Sequence, residues 1–133
     1  MCNLFAIGRD NGGGRMRLRN GDLDIEWNYA EENAELIAAM DAVMATIAAA
    51  SGARYAPIPT WTVFRRPVTV HPLGGCHLSE SAERGVVSVR GEVHGYPGLY
   101  VADGSVIPTA IGFHPVMTVS AVCEHIAAGL QGE

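Results

Sequence analysis

The chain has 133 residues, 48% of them apolar and 17% charged, with a formal net charge of −5. Those proportions suit one soluble domain and exclude wholesale disorder. Nine Lys and Arg against fourteen Asp and Glu leave no basic surface for nucleic acid. Three cysteines, Cys2, Cys76 and Cys123, are odd in number and too few for a disulfide framework. They predict free thiols and a reducing, cytoplasmic compartment. The N-terminal MCNLFAIGRDNGGG lacks a basic region followed by a long apolar core, so no export signal is read there. The Ala-rich stretch Glu35–Ala53 carries Glu35 and Asp41, which a lipid-facing helix would resist, and no membrane span is expected.

The first element is a β-hairpin. Met16, Leu18, Leu23, Ile25 and Trp27 alternate with charges around Asn20-Gly21, the signature of a two-residue turn. That turn sets the register, pairing Arg19 with Asp22, Arg17 with Asp24 and Arg15 with Glu26. Opposite charges directly across a ladder contribute only about 0.2–1 kcal/mol each, so they specify pairing more than they stabilise it. The other face is apolar and needs a cover. A helix follows, with Asn28 as N-cap, Glu31 three residues on, and Leu36, Ile37, Met40, Val43, Met44 and Ile47 as a core-facing stripe. Gly52 is its expected stop.

Pro57, Pro59, Pro67 and Pro72 then predict an extended, irregular connection containing Trp61 and Phe64. Beyond it the pattern reads as a Gly-rich loop, a strand pair near Val86–Val93, a buried strand Leu99–Ala102, a tight turn at Asp103-Gly104, and a last helix. That helix has Pro115 at its first position and Val116, Val119, Cys123, Ile126, Ala127 and Leu130 on one side. The last third therefore reads as the closing strand, loop and helix of an α/β layer.

Three short segments carry the chemistry. In His71-Pro72-Leu73-Gly74-Gly75-Cys76 the paired glycines permit positive φ and close approach to a flat ligand. Val101-Ala102-Asp103-Gly104-Ser105 places a turn where a strand ends, the usual ligand position in open α/β sheets. In Gly112-Phe113-His114-Pro115 a histidine stands just before a helix N-terminus, which favours developing negative charge. Histidine titrates near neutrality, so His71 and His114 brought to one point would form an acid/base set. His77, His94 and His125 read as ordinary turn or surface histidines. No spacing suits zinc, and no metal is expected. Ser105 lacks a Gly-x-Ser-x-Gly elbow, and Cys76 reads as a small packing residue under the loop.

At these residues the sequence closely resembles the C-terminal part of the glucose–methanol–choline (GMC) family of flavin-dependent oxidoreductases, especially its cholesterol oxidase branch. The resemblance rests on His71–Cys76, Pro97–Ser105 and Gly112–Pro115 in that order and spacing, and the hairpin resembles substrate-domain strands of the same branch. It implies a mixed α+β or α/β fold: a partial substrate-binding domain over residues 1–66, and the C-terminal part of an FAD-binding domain with the histidine loop over 67–133. It implies His71 as general base for alcohol oxidation, with His114 as its catalytic partner holding the substrate oxygen. It further implies FAD contacts from Asp103, Gly104, His114, Pro115 and Val116, the helix N-terminus stabilising an anionic reduced flavin. Cholesterol oxidases carry asparagine where His114 stands, so the resemblance implies an alcohol substrate, sterol or other, without fixing which. No Gly-x-Gly-x-x-Gly turn occurs, so the nucleotide-binding segment is expected from outside this sequence, as an N-terminal flavin-binding chain. A non-catalytic interaction subunit, or self-association through the apolar hairpin face, is the competing expectation.

Overall fold

The structure, a computed structural model, describes residues 3–131. Cys2, one of the expected free thiols, lies outside the described residues. The chain forms two compact units, Met1–Thr69 and Val70–Glu133. Together they carry a small antiparallel hairpin and helices, an α+β composition.

In the first unit, β1 (Arg15–Arg19) and β2 (Asp22–Glu26) pair antiparallel in the register read from the turn: Arg15 opposite Glu26, Arg17 opposite Asp24 and Arg19 opposite Asp22. Asn20 at φ 55° and Gly21 at φ 90° supply the two left-handed residues of a type I′ turn. The ion pairs, however, run diagonally. Arg17 reaches Glu26 at 3.7 Å, and Arg19 reaches Asp24 at 3.3 Å and Glu26 at 3.6 Å. Long side chains on a twisted two-stranded ribbon meet the diagonal neighbour more readily than the one opposite. All four apolar side chains of the other face, Met16, Leu18, Leu23 and Ile25, are exposed.

The predicted single helix is two. α1 (Tyr29–Glu32) ends at Asn33, and α2 (Ala34–Ala50) restarts there. Asn28 makes no side-chain bond to the backbone; its amide instead donates to the Glu31 carboxylate at 2.6 Å. Asn33, buried at 3% exposure, explains the break. Its carbonyl oxygen accepts from the Asn11 N–H at 2.7 Å and its amide donates to the Tyr29 carbonyl at 3.2 Å, so one side chain joins the N-terminal segment to both helices. α2 stops as expected: the Ala53 N–H donates to the Ala48 carbonyl and the Gly52 N–H to that of Ala49, a Schellman closure.

The apolar stripe of α2 is less buried than its spacing predicts. Leu36, Ile37, Met40 and Met44 are half-buried, Val43 and Ile47 are exposed, and Ala48 is the buried residue of the helix. The unit supplies too little facing surface to cover the stripe. The proline-rich connection is also not wholly extended. With Pro59 preset in its first turn, a short α3 (Pro59–Thr62) forms, and Trp61 takes the Arg65 guanidinium 5.4 Å from its ring centre.

The second unit is built differently. Neither the strand pair at Val86–Val93 nor the buried strand Leu99–Ala102 forms as a strand. Single bridges join Leu78 to Val87, Val87 to Val93 and Glu92 to Tyr100, while Leu99 and Ala102 are exposed. Turns at Gly91 and Gly95 bend the chain too often for a ladder to extend beyond one pair. No α/β layer arises among the described residues. The core is nevertheless here: Val87, Val106 and Ile107 are buried, with Leu73, Leu78, Val93, Val101, Ile111, Val119 and Val122 packed against them. The last helix, α4 (Val116–Gln131), begins one residue later than read. The Pro115 carbonyl accepts from the Val119 N–H, which puts the proline at the cap. Ile126 is buried at 2% exposure, whereas Val116, Ala127 and Leu130 of the expected stripe are exposed. No helix among the described residues is long and apolar enough to cross a membrane.

Candidate functional site

The candidate site lies in the second unit and is built on the turn at Asp103. Asp103 caps a short 3₁₀ turn, Gly104–Val106, by accepting from the Ser105 N–H at 2.7 Å. Hydrogen bonds from the Ser105 hydroxyl and backbone N–H hold the Asp103 carboxyl below its ordinary value. The loop that starts at His71 is laid along this turn by three backbone bonds: Gly74 N–H to the Gly104 carbonyl at 3.4 Å, Cys76 N–H to Ser105 at 3.0 Å, and Leu78 N–H to Val106 at 3.1 Å. Gly74 and Gly75, at φ 81° and 103°, give the loop the left-handed bend it needs to lie there. A side chain at Gly104 would be crowded: a Cβ would stand 3.0 Å from the Pro72 carbonyl oxygen and 3.2 Å from Leu73. Its smallness is thus used inside the fold, between the turn and the histidine loop.

The start of α4 closes the arrangement. Pro115 is buried, and the Cys123 thiol on the same helix donates to the Ala102 carbonyl at 3.0 Å, tying the segment before Asp103 to α4. Valine 119 packs on the core beneath. The His71 and His114 rings meet edge to face, their centres 4.9 Å apart and their planes at 75°. His71 is half-buried and His114 exposed, so the pair is open to an incoming molecule.

The structure therefore brings together His71 and His114, the two histidines singled out by residue type. It sets Asp103, Gly104, Pro115 and Val116 on the two elements that carry them, with Val116 half exposed at the helix start. The first N–H groups of a helix have no intrahelical acceptor and point outward from such a start. Cys76 sits half-buried in the loop ladder, as its small-residue role predicts. His125 is exposed on α4. His94 is more engaged than its turn position suggested: its Nε2 lies 3.2 Å from the Ser79 hydroxyl. Because that hydroxyl donates to the Ser81 carbonyl at 2.6 Å, the histidine is the donor. No sequence signal links residues fifteen apart across two turns. A cavity of about 340 Å³ in this unit is lined by His77, Leu78, Ser79, Glu80, Arg84 and Pro108, and includes neither His71 nor His114.

A histidine pair carried by a Gly-Gly loop, an aspartate-capped turn and a helix start is an arrangement suited to proton transfer beside a bound ligand. Residues 10–123 match the family model described as GMC oxidoreductase, C-terminal part, so the chain belongs to the GMC oxidoreductase family. Among curated proteins it is similar to a cholesterol oxidase of Acinetobacter baumannii, 41% identical over 70 residues, covering 51% of this chain and 13% of that one. A cholesterol oxidase of Mycobacterium tuberculosis (strain ATCC 25618 / H37Rv) is 39% identical over 70 residues, 52% of this chain and 12% of that one. A long-chain-alcohol oxidase of Arabidopsis thaliana is 32% identical over 68 residues, 51% of this chain and 9% of that one. The chain thus spans only about an eighth or less of the length of these relatives.

Proposed function

We propose that this chain carries the proton-transfer end of an FAD-dependent alcohol oxidoreductase, acting on a CH–OH group. The observation that supports this best is the His71–His114 pair, with ring centres 4.9 Å apart, His71 half-buried and His114 exposed. Two imidazoles at that separation can both reach one hydroxyl oxygen. His71, on the loop, accepts the hydroxyl proton, and His114, at the helix cap, donates a hydrogen bond to the same oxygen and fixes its direction. Raising electron density on that oxygen is what weakens the neighbouring C–H bond toward hydride loss. Preorganised donors contribute most when they need no rearrangement; here the His71 loop is anchored by backbone bonds at Gly74, Cys76 and Leu78, and His114 immediately precedes the buried Pro115 at the cap of α4.

The residues present fit part of an FAD site. Gly74 and Gly75 present bare backbone beside His71, and the start of α4 offers N–H donors at Val116 for an anionic edge. Asp103 is an exposed carboxylate held ionised at a turn and suited to accept from sugar-type hydroxyls. Bound there, FAD would supply the hydride acceptor. The pyrophosphate finds no glycine fingerprint in this sequence, so a nucleotide-binding part beyond these residues completes the cofactor site. The substrate is an alcohol; both the cholesterol oxidases and the long-chain-alcohol oxidase among its relatives are consistent with that class.

The test is turnover in the flavin-loaded assembly. His71→Ala is expected to lower kcat about 10²- to 10⁴-fold, the range of a lost general base, and His114→Ala to lower it less. Unchanged turnover in the His71→Ala protein would overturn the assignment. A second reading, a binding subunit without catalysis, draws on the uncovered apolar hairpin face. An assembly that stays colourless and binds no FAD would favour it.

A further inference from the structure

The hairpin is electrically divided between its strands. On the charged face β1 carries only arginines (Arg15, Arg17, Arg19) and β2 only carboxylates (Asp22, Asp24, Glu26), at the same spacing of two residues. Among the described residues the sheet has two strands, so each strand keeps one free edge there. The ion pairs within the hairpin use Arg17, Arg19, Asp24 and Glu26, whereas Arg15 and Asp22 enter none among the described residues. Because the turn joins Arg19 and Asp22 directly, the alternation of an antiparallel ladder turns the backbone groups of Met16 and Leu18 on β1, and of Leu23 and Ile25 on β2, toward the free edges.

We propose that the free edge of β1 pairs antiparallel with the free edge of β2 on a second copy of this chain. Three features select that occupant. Pairing β1 with β1 would set arginine against arginine, and β2 with β2 carboxylate against carboxylate, both unfavourable. Pairing β1 with β2 sets Arg15, Arg17 and Arg19 opposite Glu26, Asp24 and Asp22 of the second copy, giving the unused Arg15 and Asp22 partners. The same register brings Met16 and Leu18 beside Ile25 and Leu23 of the second copy, joins the outward backbone groups and continues one apolar face across the junction. The contact is head-to-tail, so association beyond a pair closes as a ring or extends. Five-residue edges bury little surface, which makes the association concentration-dependent.

Sedimentation velocity of the full chain over a wide concentration range reads this directly. The expected result is a weight-average mass that rises with concentration and falls back toward the monomer in about 1 M salt, where the Debye length is about 3 Å. Arg15→Gln and Asp22→Asn break no ion pair within the hairpin, and each is expected to raise the dissociation constant about 1.5- to 5-fold. Leu18→Pro removes only an edge-facing N–H and is expected to abolish association while circular dichroism keeps its helix signal. A monomer at every concentration overturns the proposal. So does association that strengthens with salt and survives Leu18→Pro, which would mean stacking of apolar faces.

Discussion

The first unit holds the paired strands and the longest helix, and the second holds the core. In Met1–Thr69 a paired hairpin and a 17-residue helix leave Met16, Leu18, Leu23, Ile25, Val43 and Ile47 exposed, with Ala48 as the buried apolar residue among those described. In Val70–Glu133 single bridges and turns precede α4, yet Val87, Val106, Ile107 and Ile126 are all buried. Hydrogen-bonded regularity and apolar burial are separate physical terms, and this chain shows them divided between two regions. The catalytic candidates belong to the second kind of region. A ring pair needs fixed loops more than long elements, and loops become fixed by a core beneath them.

The sharpest way to break that comparison is to delete equivalent side chains from the two helices. Ile126→Ala removes a residue at 2% exposure and is expected to destabilise the second unit by about 2–5 kcal/mol. Ile47→Ala removes one at 47% exposure and is expected to change stability by no more than about 0.5 kcal/mol. Denaturant unfolding followed through amide exchange in each helix measures both. A cost for Ile47 approaching that for Ile126 would mean that the α2 stripe is covered in solution.

A smaller effect tests whether the first unit has any internal anchor. Asn33 is its buried polar residue, and Asn33→Ala leaves the Asn11 N–H and the Tyr29 carbonyl without their side-chain partner. The expected loss is about 1–2 kcal/mol, with the Asn11 amide becoming freely exchanging. If Asn11 stays protected, the N-terminal segment is held by something other than this side chain.

The same division governs what could be read from the amino-acid order. The hairpin register and the Gly52 stop follow from local rules, because an Asn-Gly turn and a period of two or 3.6 are written into adjacent residues. Asn33 defied that reading since a helix pattern does not reveal a side chain bonded to a residue 22 positions away. In the second unit Val87 and Val106 are buried by bridges between short segments, which no periodicity announces. The identities of His71 and His114 were legible as residue types beside glycine and a helix start. Their contact was not, since it depends on Gly104 fitting under Pro72 and on the bonds from Gly74, Cys76 and Leu78.

The finest comparison sets one titrating group in each unit against the other, with opposite signs. Asp103 in the second unit has its carboxyl lowered by the Ser105 hydroxyl and N–H, so its contribution is complete above the ordinary aspartate value and is lost as pH falls through the lower folded value. Tyr55 in the first unit is pushed up to about 12 by burial, with its hydroxyl donating to Asp41 at 2.7 Å. The unfolded chain gives up that proton near pH 10, so the contribution is complete below about pH 10 and is lost as pH rises toward 12. Subtracting the phenolate absorbance of Tyr55→Phe from that of the unaltered chain isolates this group among four tyrosines. A difference midpoint near 12 means that the Asp41 contact persists although much of the surrounding apolar surface is open. A midpoint near 10 means that the Asp41 contact does not hold Tyr55 in solution, and the segment after α2 is then not anchored through this hydroxyl.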